Sequence, residues 1–160
     1  MKIAIIVPTI YQLRYPYIQY GGIEPIAGNL AVELANMGNE VTVFAPKGSK
    51  LTDNVKIVET VDADINYNVN SEAEACNIMM SYIKDHPQDV IHDHTHQKFI
   101  YMHKAQHPEL KVCSTLHNQV KFKNQPPPTI NPAFDLLETN LLAEIEKRNL
   151  PVPEIIEPEP

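Results

Sequence analysis

Apolar residues fall along this chain in two rhythms that alternate. Lys2–Val7 is a near-continuous apolar run, as in a strand buried on both faces of a parallel sheet. A polar, tyrosine-rich stretch from Pro8 to Tyr20 follows and closes on Gly21 and Gly22. From Ile23 to Met37 the apolar positions are Ile23, Ile26, Ala27, Leu30, Ala31, Leu34 and Ala35, which predicts a one-sided helix. Gly38 predicts its left-handed stop. Glu40–Phe44, rich in β-branched and aromatic residues, predicts a second strand, and Val55–Glu59 a shorter third. Ser71 and Glu74 have capping-box spacing and predict a helix over Glu72–Lys84, ended by Pro87. Asp89–His92 predicts a fourth strand, Lys98–Ala105 a short helix and Lys111–Leu116 a fifth strand.

Strands that alternate with helices predict an α/β fold, a Rossmann-like doubly wound parallel sheet with helices on both faces. Right-handed crossovers then give strand order 3-2-1-4-5. This domain is placed at residues 1–124. Beyond Asn118 the character changes: 125–132 reads as a stiff proline-rich linker, and 133–149 as an amphipathic helix. Phe134, Leu137, Leu141, Leu142 and Ile145 form that helix's apolar stripe, expected to dock on its own domain rather than on a second copy or a partner half. The acidic, proline-rich tail at 150–160 is expected to be extended or disordered.

Composition narrows the classes. The 160 residues suffice for one ordinary domain, and 43% hydrophobic with 21% charged residues suits a soluble globular chain. No apolar run approaches the ~20 residues that span a bilayer, and the first run is too short for a signal-peptide core, so a cytoplasmic location is expected. The formal net charge of -7 argues against nucleic acid as a partner. Cys76 and Cys113 lie far apart without metal-ligand spacing and are expected to be two buried, reduced thiols.

In a doubly wound sheet, ligands bind at the carboxyl ends of the strands, where strand order reverses. Three polar loops belong there: Tyr20–Glu24, His92–His96 and Leu116–Asn118. Gly21 and Gly22 precede a helix N-terminus, where free N–H groups and the dipole favour an anion such as phosphate, although a tight turn needs the same pair. The GxGxxG fingerprint is absent, which disfavours a nicotinamide cofactor. His92, His94 and His96 alternate as metal ligands on one strand face would, but no further ligand pattern accompanies them, so no metal site is assigned. His92 reads as a satisfied core histidine, and His86, His96, His103 and His107 as surface residues. His117 and Asn118 form either a site pair or a turn.

Taken in order, Met1–Pro8, Tyr20–Glu24, Leu34–Phe44, Asp89–His94 and Ser114–Asn118 resemble the N-terminal domain of family 4 retaining glycosyltransferases (group 1, GT-B fold). The resemblance covers about residues 1–118 and fails after the Pro126–Pro128 linker. It implies transfer of a sugar from a nucleotide-sugar to an acceptor, with the anomeric configuration retained and no required metal or cofactor. By the same resemblance Gly21 and Gly22 match the glycine loop near the donor diphosphate and the acceptor, and Glu24 starts the helix behind it. His94 matches the histidine facing the donor sugar, the candidate catalytic residue. His117 and Asn118 match a pair beside the cleft.

The family holds its nucleotide mainly in a second Rossmann domain. This chain is therefore expected to supply the acceptor-side half, to bind nucleotide-sugar weakly, and to be inactive unless joined by a separate C-terminal half. A homodimer is a further candidate partner. Two other readings stand beside this one: an inactive glycan- or partner-binding module derived from the fold, and an unrelated nucleotide-binding Rossmann protein.

Overall fold

The computed structural model describes residues 1–15 and 22–117. Its elements alternate as the sequence predicts: β1 (Lys2–Ile6), α1 (Ile23–Asn36), β2 (Glu40–Ala45), β3 (Val55–Glu59), α2 (Val69–Asp85), β4 (Val90–Asp93), α3 (Ile100–Gln106) and β5 (Val112–Ser114). The five strands form one sheet in the order β3-β2-β1-β4-β5. Every pairing is parallel. Strand order reverses between β1 and β4, so the carboxyl ends of those two strands define the switch point.

Strand alternation sorts the core into two halves. Ile3, Ile5 and Val7 of β1 and its extension pack with Val41, Val43, Ala27 and Ala31, on the face that α1 covers. Ala4 and Ile6 pack with Phe44, Ile91, Ala75, Cys76, Met79 and Ile100, on the face that α2 and α3 cover. A strand between two helical layers has no polar side, hence the unbroken run at β1.

Several local expectations shift. The α1 stripe is rotated from the predicted one: Ile26 is 53% exposed, and the buried side carries Glu24, Ala27, Gly28, Ala31 and Val32. Small residues at 27, 28 and 31 let the helix approach the sheet closely, leaving no room to bury Ile26. The predicted capping box at Ser71 is not used. The helix starts earlier, with Asn68 as N-cap accepting from the Asn70 N–H at 2.9 Å. Gly38 does stop α1: its φ is +85°, and the Gly38 and Asn39 N–H groups donate to the Ala35 and Leu34 carbonyls at 2.9 and 3.2 Å, a Schellman closure. Of the two thiols, Cys76 is buried and pushed up to about 12 by burial and by the Asp93 and Glu72 charges, whereas Cys113 on the short edge strand β5 is exposed. The predicted linker, helix and tail at 125–160 lie outside the described residues.

The loop after β1 is anchored far from its ends in sequence. The fully buried Leu13 exchanges hydrogen bonds with the β2–β3 connection: its N–H reaches Ser49 Oγ at 3.0 Å, and its carbonyl accepts from Lys50 N–H at 2.7 Å. No helix among the described residues is long and apolar enough to cross a membrane.

Candidate functional site

The parallel ladder continues one step past the end of β4, where the His94 N–H donates to the Ile6 carbonyl at 2.9 Å. Beside it the Thr115 N–H donates to the Asp93 carbonyl at 3.0 Å. These bonds fix the β4 and β5 ends at the switch point, and side-chain alternation then divides the chemistry between the two faces of the sheet.

One face carries imidazoles. The His92 ring is half-buried and its Nε2 lies 2.8 Å from Thr115 Oγ1. The His94 ring packs on it at 4.2 Å between centroids, and His94 Nδ1 lies 2.9 Å from His117 Nε2. Burial lowers the affinity of all three rings for a proton, and like-charged neighbours add to this. For His94 the value is pushed down to about 3, by burial first and then by His92, His117 and Lys98. Each shift disfavours the imidazolium form.

The other face carries a buried ionic network. Asp93, with no exposure, accepts from the Thr95 N–H and hydroxyl, both at 2.7 Å, which closes a tight side-chain turn. Lys98 Nζ donates to the Asp93 and Thr115 carbonyls at 3.2 and 3.0 Å and sits 3.8 Å from Asp93 Oδ2, tying β4 to β5. Burial lowers the Lys98 pKa, against the opposite pull of Asp93 and Glu72. Glu72, in the first turn of α2 and fully buried, accepts from the His96 and Gln97 N–H groups at 3.0 and 2.9 Å. The Tyr67 hydroxyl reaches the same carboxylate at 3.4 Å. Tyr67 and Lys98 are left-handed, with φ of +53° and +56°. Such conformations cost of order 1–3 kcal/mol each and persist where the surroundings over-determine them.

Sequence reasoning missed Glu72, Asp93, Thr95 and Lys98. Glu72 left a readable signal: it lies in phase with Ala75, Cys76, Met79 and Ile83, so a carboxylate stands in the buried stripe of α2.

The predicted site residues divide as follows. His94 and His117 come together; His94, expected to project into the cleft, is 1% exposed, and His92, expected in the core, is the less buried of those two. The rings of His92 and His117 lie against that ring, at 4.2 and 5.1 Å between centroids, whereas strand alternation by itself says nothing about cover. His96 leaves the other two, its ring edge-on to Tyr67 at 5.3 Å between centroids. Among the described residues no group of three His, Cys, Asp or Glu is placed to hold a metal ion. Gly22 is exposed, takes ordinary right-handed angles as the N-cap of α1, and a Cβ there would meet nothing within 4 Å. Neither backbone conformation nor packing demands glycine at 22. Its missing side chain leaves the helix N-terminus without a side-chain cap. Glu24 sits in that first turn at 6% exposure, its pKa raised by burial against the pull of its own N–H and of His96. Gly21 and Asn118 lie outside the described residues.

Four buried side-chain N or O atoms among the described residues lack a hydrogen-bond partner: Thr9 Oγ1, Thr60 Oγ1, His94 Nε2 and Gln88 Oε1. Thr9, Thr60 and His94 all lie just beyond carboxyl ends, of β1, β3 and β4. An unmet buried polar atom costs about 1–3 kcal/mol, so each asks for an explanation. Gln88 belongs instead to a groove of about 710 Å³ at the amino ends of β4 and β5, lined in part by Asn77, Lys84, His103 and Lys111. That groove is on the wrong end of the sheet for the three polar loops, and topology favours the loops.

No curated protein matches the chain. The sequence profile of Glycosyltransferase Family 4 matches residues 20–148, beginning at the glycine loop and running past Asn118 and the Pro126–Pro128 stretch, where the resemblance was expected to fail. With the sheet order and the loops at its switch point, a match over most of the sequence means that the chain belongs to Glycosyltransferase Family 4.

Proposed function

We propose that this chain supplies the N-terminal, acceptor-side domain of a retaining glycosyltransferase that moves a hexosyl group from a nucleotide-sugar to an acceptor hydroxyl. The observation that carries the reading is His94 Nε2, buried without a hydrogen-bond partner among the described residues, at the carboxyl end of β4 beside the switch point. In this reading a hydroxyl oxygen of the donor sugar meets that nitrogen. In the same reading the N-terminus of α1 at Gly22, which has no side-chain cap, lies toward the donor diphosphate. In the transfer, the bond from the anomeric carbon to the diphosphate oxygen breaks and a bond to the acceptor oxygen forms. The acceptor's hydroxyl proton leaves with the diphosphate. Gly21 and Asn118 join the site by resemblance, and the nucleotide itself is held mainly by a second Rossmann domain.

The test is an NMR titration of the ¹⁵N-labelled full chain with uridine- and guanosine-diphosphate hexoses. Weak binding, in the millimolar range of about -4 kcal/mol, is expected to move resonances of Gly22, His94, Thr95 and His117 together. Shifts confined to Asn77, Gln88 and Lys111 of the opposite groove, or no shifts with any donor, would overturn the reading.

A further inference from the structure

The His94 ring joins two observations that constrain each other. Its Nδ1 lies 2.9 Å from His117 Nε2, and its Nε2 is buried with no partner among the described residues. A nitrogen–nitrogen contact of this length between neutral rings needs one donor and one acceptor, and the proton can sit on either side. If His94 Nδ1–H donates, both rings carry their proton on Nδ1. If His117 Nε2–H donates, both carry it on Nε2. An isolated neutral histidine side chain prefers the Nε2–H tautomer, so the second arrangement gives both rings their intrinsically favoured form, and the first gives neither.

We infer that His117 is the positioning residue that sets the tautomer of His94: the His117 Nε2–H donates to His94 Nδ1, and His94 thereby presents Nε2–H as a neutral donor. The group that His94 takes is then an acceptor oxygen, and a group that must itself donate, such as an ammonium or an amide N–H, is refused. The tilted contact of the His92 ring with His94, 4.2 Å between centroids and 38° between planes, holds the ring so that this choice of proton position is also a choice of direction. Of the charged groups on the other face, Lys98 disfavours an imidazolium at all three rings, while Asp93 pulls the opposite way at His92 and His117. The inference deepens the glycosyltransferase reading and rests on it for the identity of the oxygen, a hydroxyl of the donor sugar. The tautomer itself exists in the ligand-free chain, so it stands or falls separately from sugar binding.

Long-range ¹H–¹⁵N correlation spectra of the full chain at neutral pH, with histidine ring nitrogens labelled, read the proton position directly. The expected result is a pyridine-like Nδ1 and a pyrrole-like Nε2 for both His94 and His117. A pyrrole-like Nδ1 on His94, or two pyrrole-like nitrogens on either ring, would overturn the inference. His117→Phe keeps a ring in place and removes the donor, so His94 is expected to relax to a mixture with a measurable Nδ1–H fraction. A His94 that remains wholly Nε2–H in a folded His117→Phe chain would show that His117 does not set it. Loss of the donor-sugar response in the titration above, with this tautomer intact, would count against the function alone.

Discussion

Removing the Glu72 carboxylate should loosen the loop that carries His94–Lys98 without dismantling the sheet. Glu72 accepts two backbone N–H groups, from His96 and Gln97, at 3.0 and 2.9 Å. Hydrogen bonds to a charged group contribute about 1.5–3 kcal/mol each, so the pair sets a gross scale of about 3–6 kcal/mol. Gln97 is exposed and its N–H can turn to water, which brings the expected cost of Glu72→Ala to about 3 kcal/mol. Glu72→Gln keeps one acceptor but turns an amide NH₂ toward the other N–H, so it should lose about half as much. Urea unfolding followed by circular dichroism measures this: at a slope of about 1.5 kcal/mol per molar, Glu72→Ala lowers the midpoint by about 2 M. Amide exchange at His96 and Gln97 should accelerate in parallel, while the His94 N–H, bonded to Ile6, stays protected. A change in stability below about 0.5 kcal/mol, the range of ordinary surface substitutions, would refute the argument. So would unchanged exchange at 96 and 97.

Three further outcomes are expected. His92, His94 and His117 all bind a proton more weakly folded than unfolded, so the unfolded chain takes up more protons as pH falls below about 6.5 and stability drops from there toward the His94 value of about 3. Urea midpoints of a Glu24→Gln chain, which removes the one carboxyl among the described residues whose pKa burial raises, compared at pH 7.5 and 5.0 should show the loss, and equal midpoints would contradict it. Gly38→Ala places a Cβ at φ +85° and should cost about 1–2 kcal/mol, measured by thermal unfolding, and an unchanged melting temperature would contradict it. A thiol reagent should label Cys113 in the native chain, slowed by the upward push of burial on its thiol, and Cys76 only after unfolding; labelling of both in the native chain would contradict the buried position of Cys76.

Most of the sheet was legible because its signals are local. The unbroken run at β1, the β-branched run at β2 and the Gly38 stop after α1 each have one physical meaning, and together they imply the order 3-2-1-4-5. What was not legible depends on approach distance and on partners remote in sequence. Ile26 fits a helical stripe by spacing, yet Ala27, Gly28 and Ala31 decide which side meets the sheet. Asn68 outcompeted Ser71 as the cap because its oxygen reaches the Asn70 N–H. At the site, alternation along β4 correctly grouped His92 with His94, but their relative burial depends on what lies above the strand ends. The contact of His94 with His117 joins loops 23 residues apart. Lys98 gave no local signal at all, since its partners are two carbonyls on different strands.

Burial of His94 for a ligand and burial of His94 for the fold are separated by one substitution. His94→Leu keeps bulk in the site, gives up the His117 contact, worth about 1 kcal/mol, and abolishes an unmet buried nitrogen, worth about 1–3 kcal/mol. Its unfolding free energy should therefore equal or exceed that of the wild-type chain. In the same protein, titration with the diphosphate-hexose that the wild-type chain binds should show affinity reduced about tenfold, near 1.4 kcal/mol. Retained affinity together with a loss of several kcal/mol in stability would make His94 a core residue and contradict the assignment of the site.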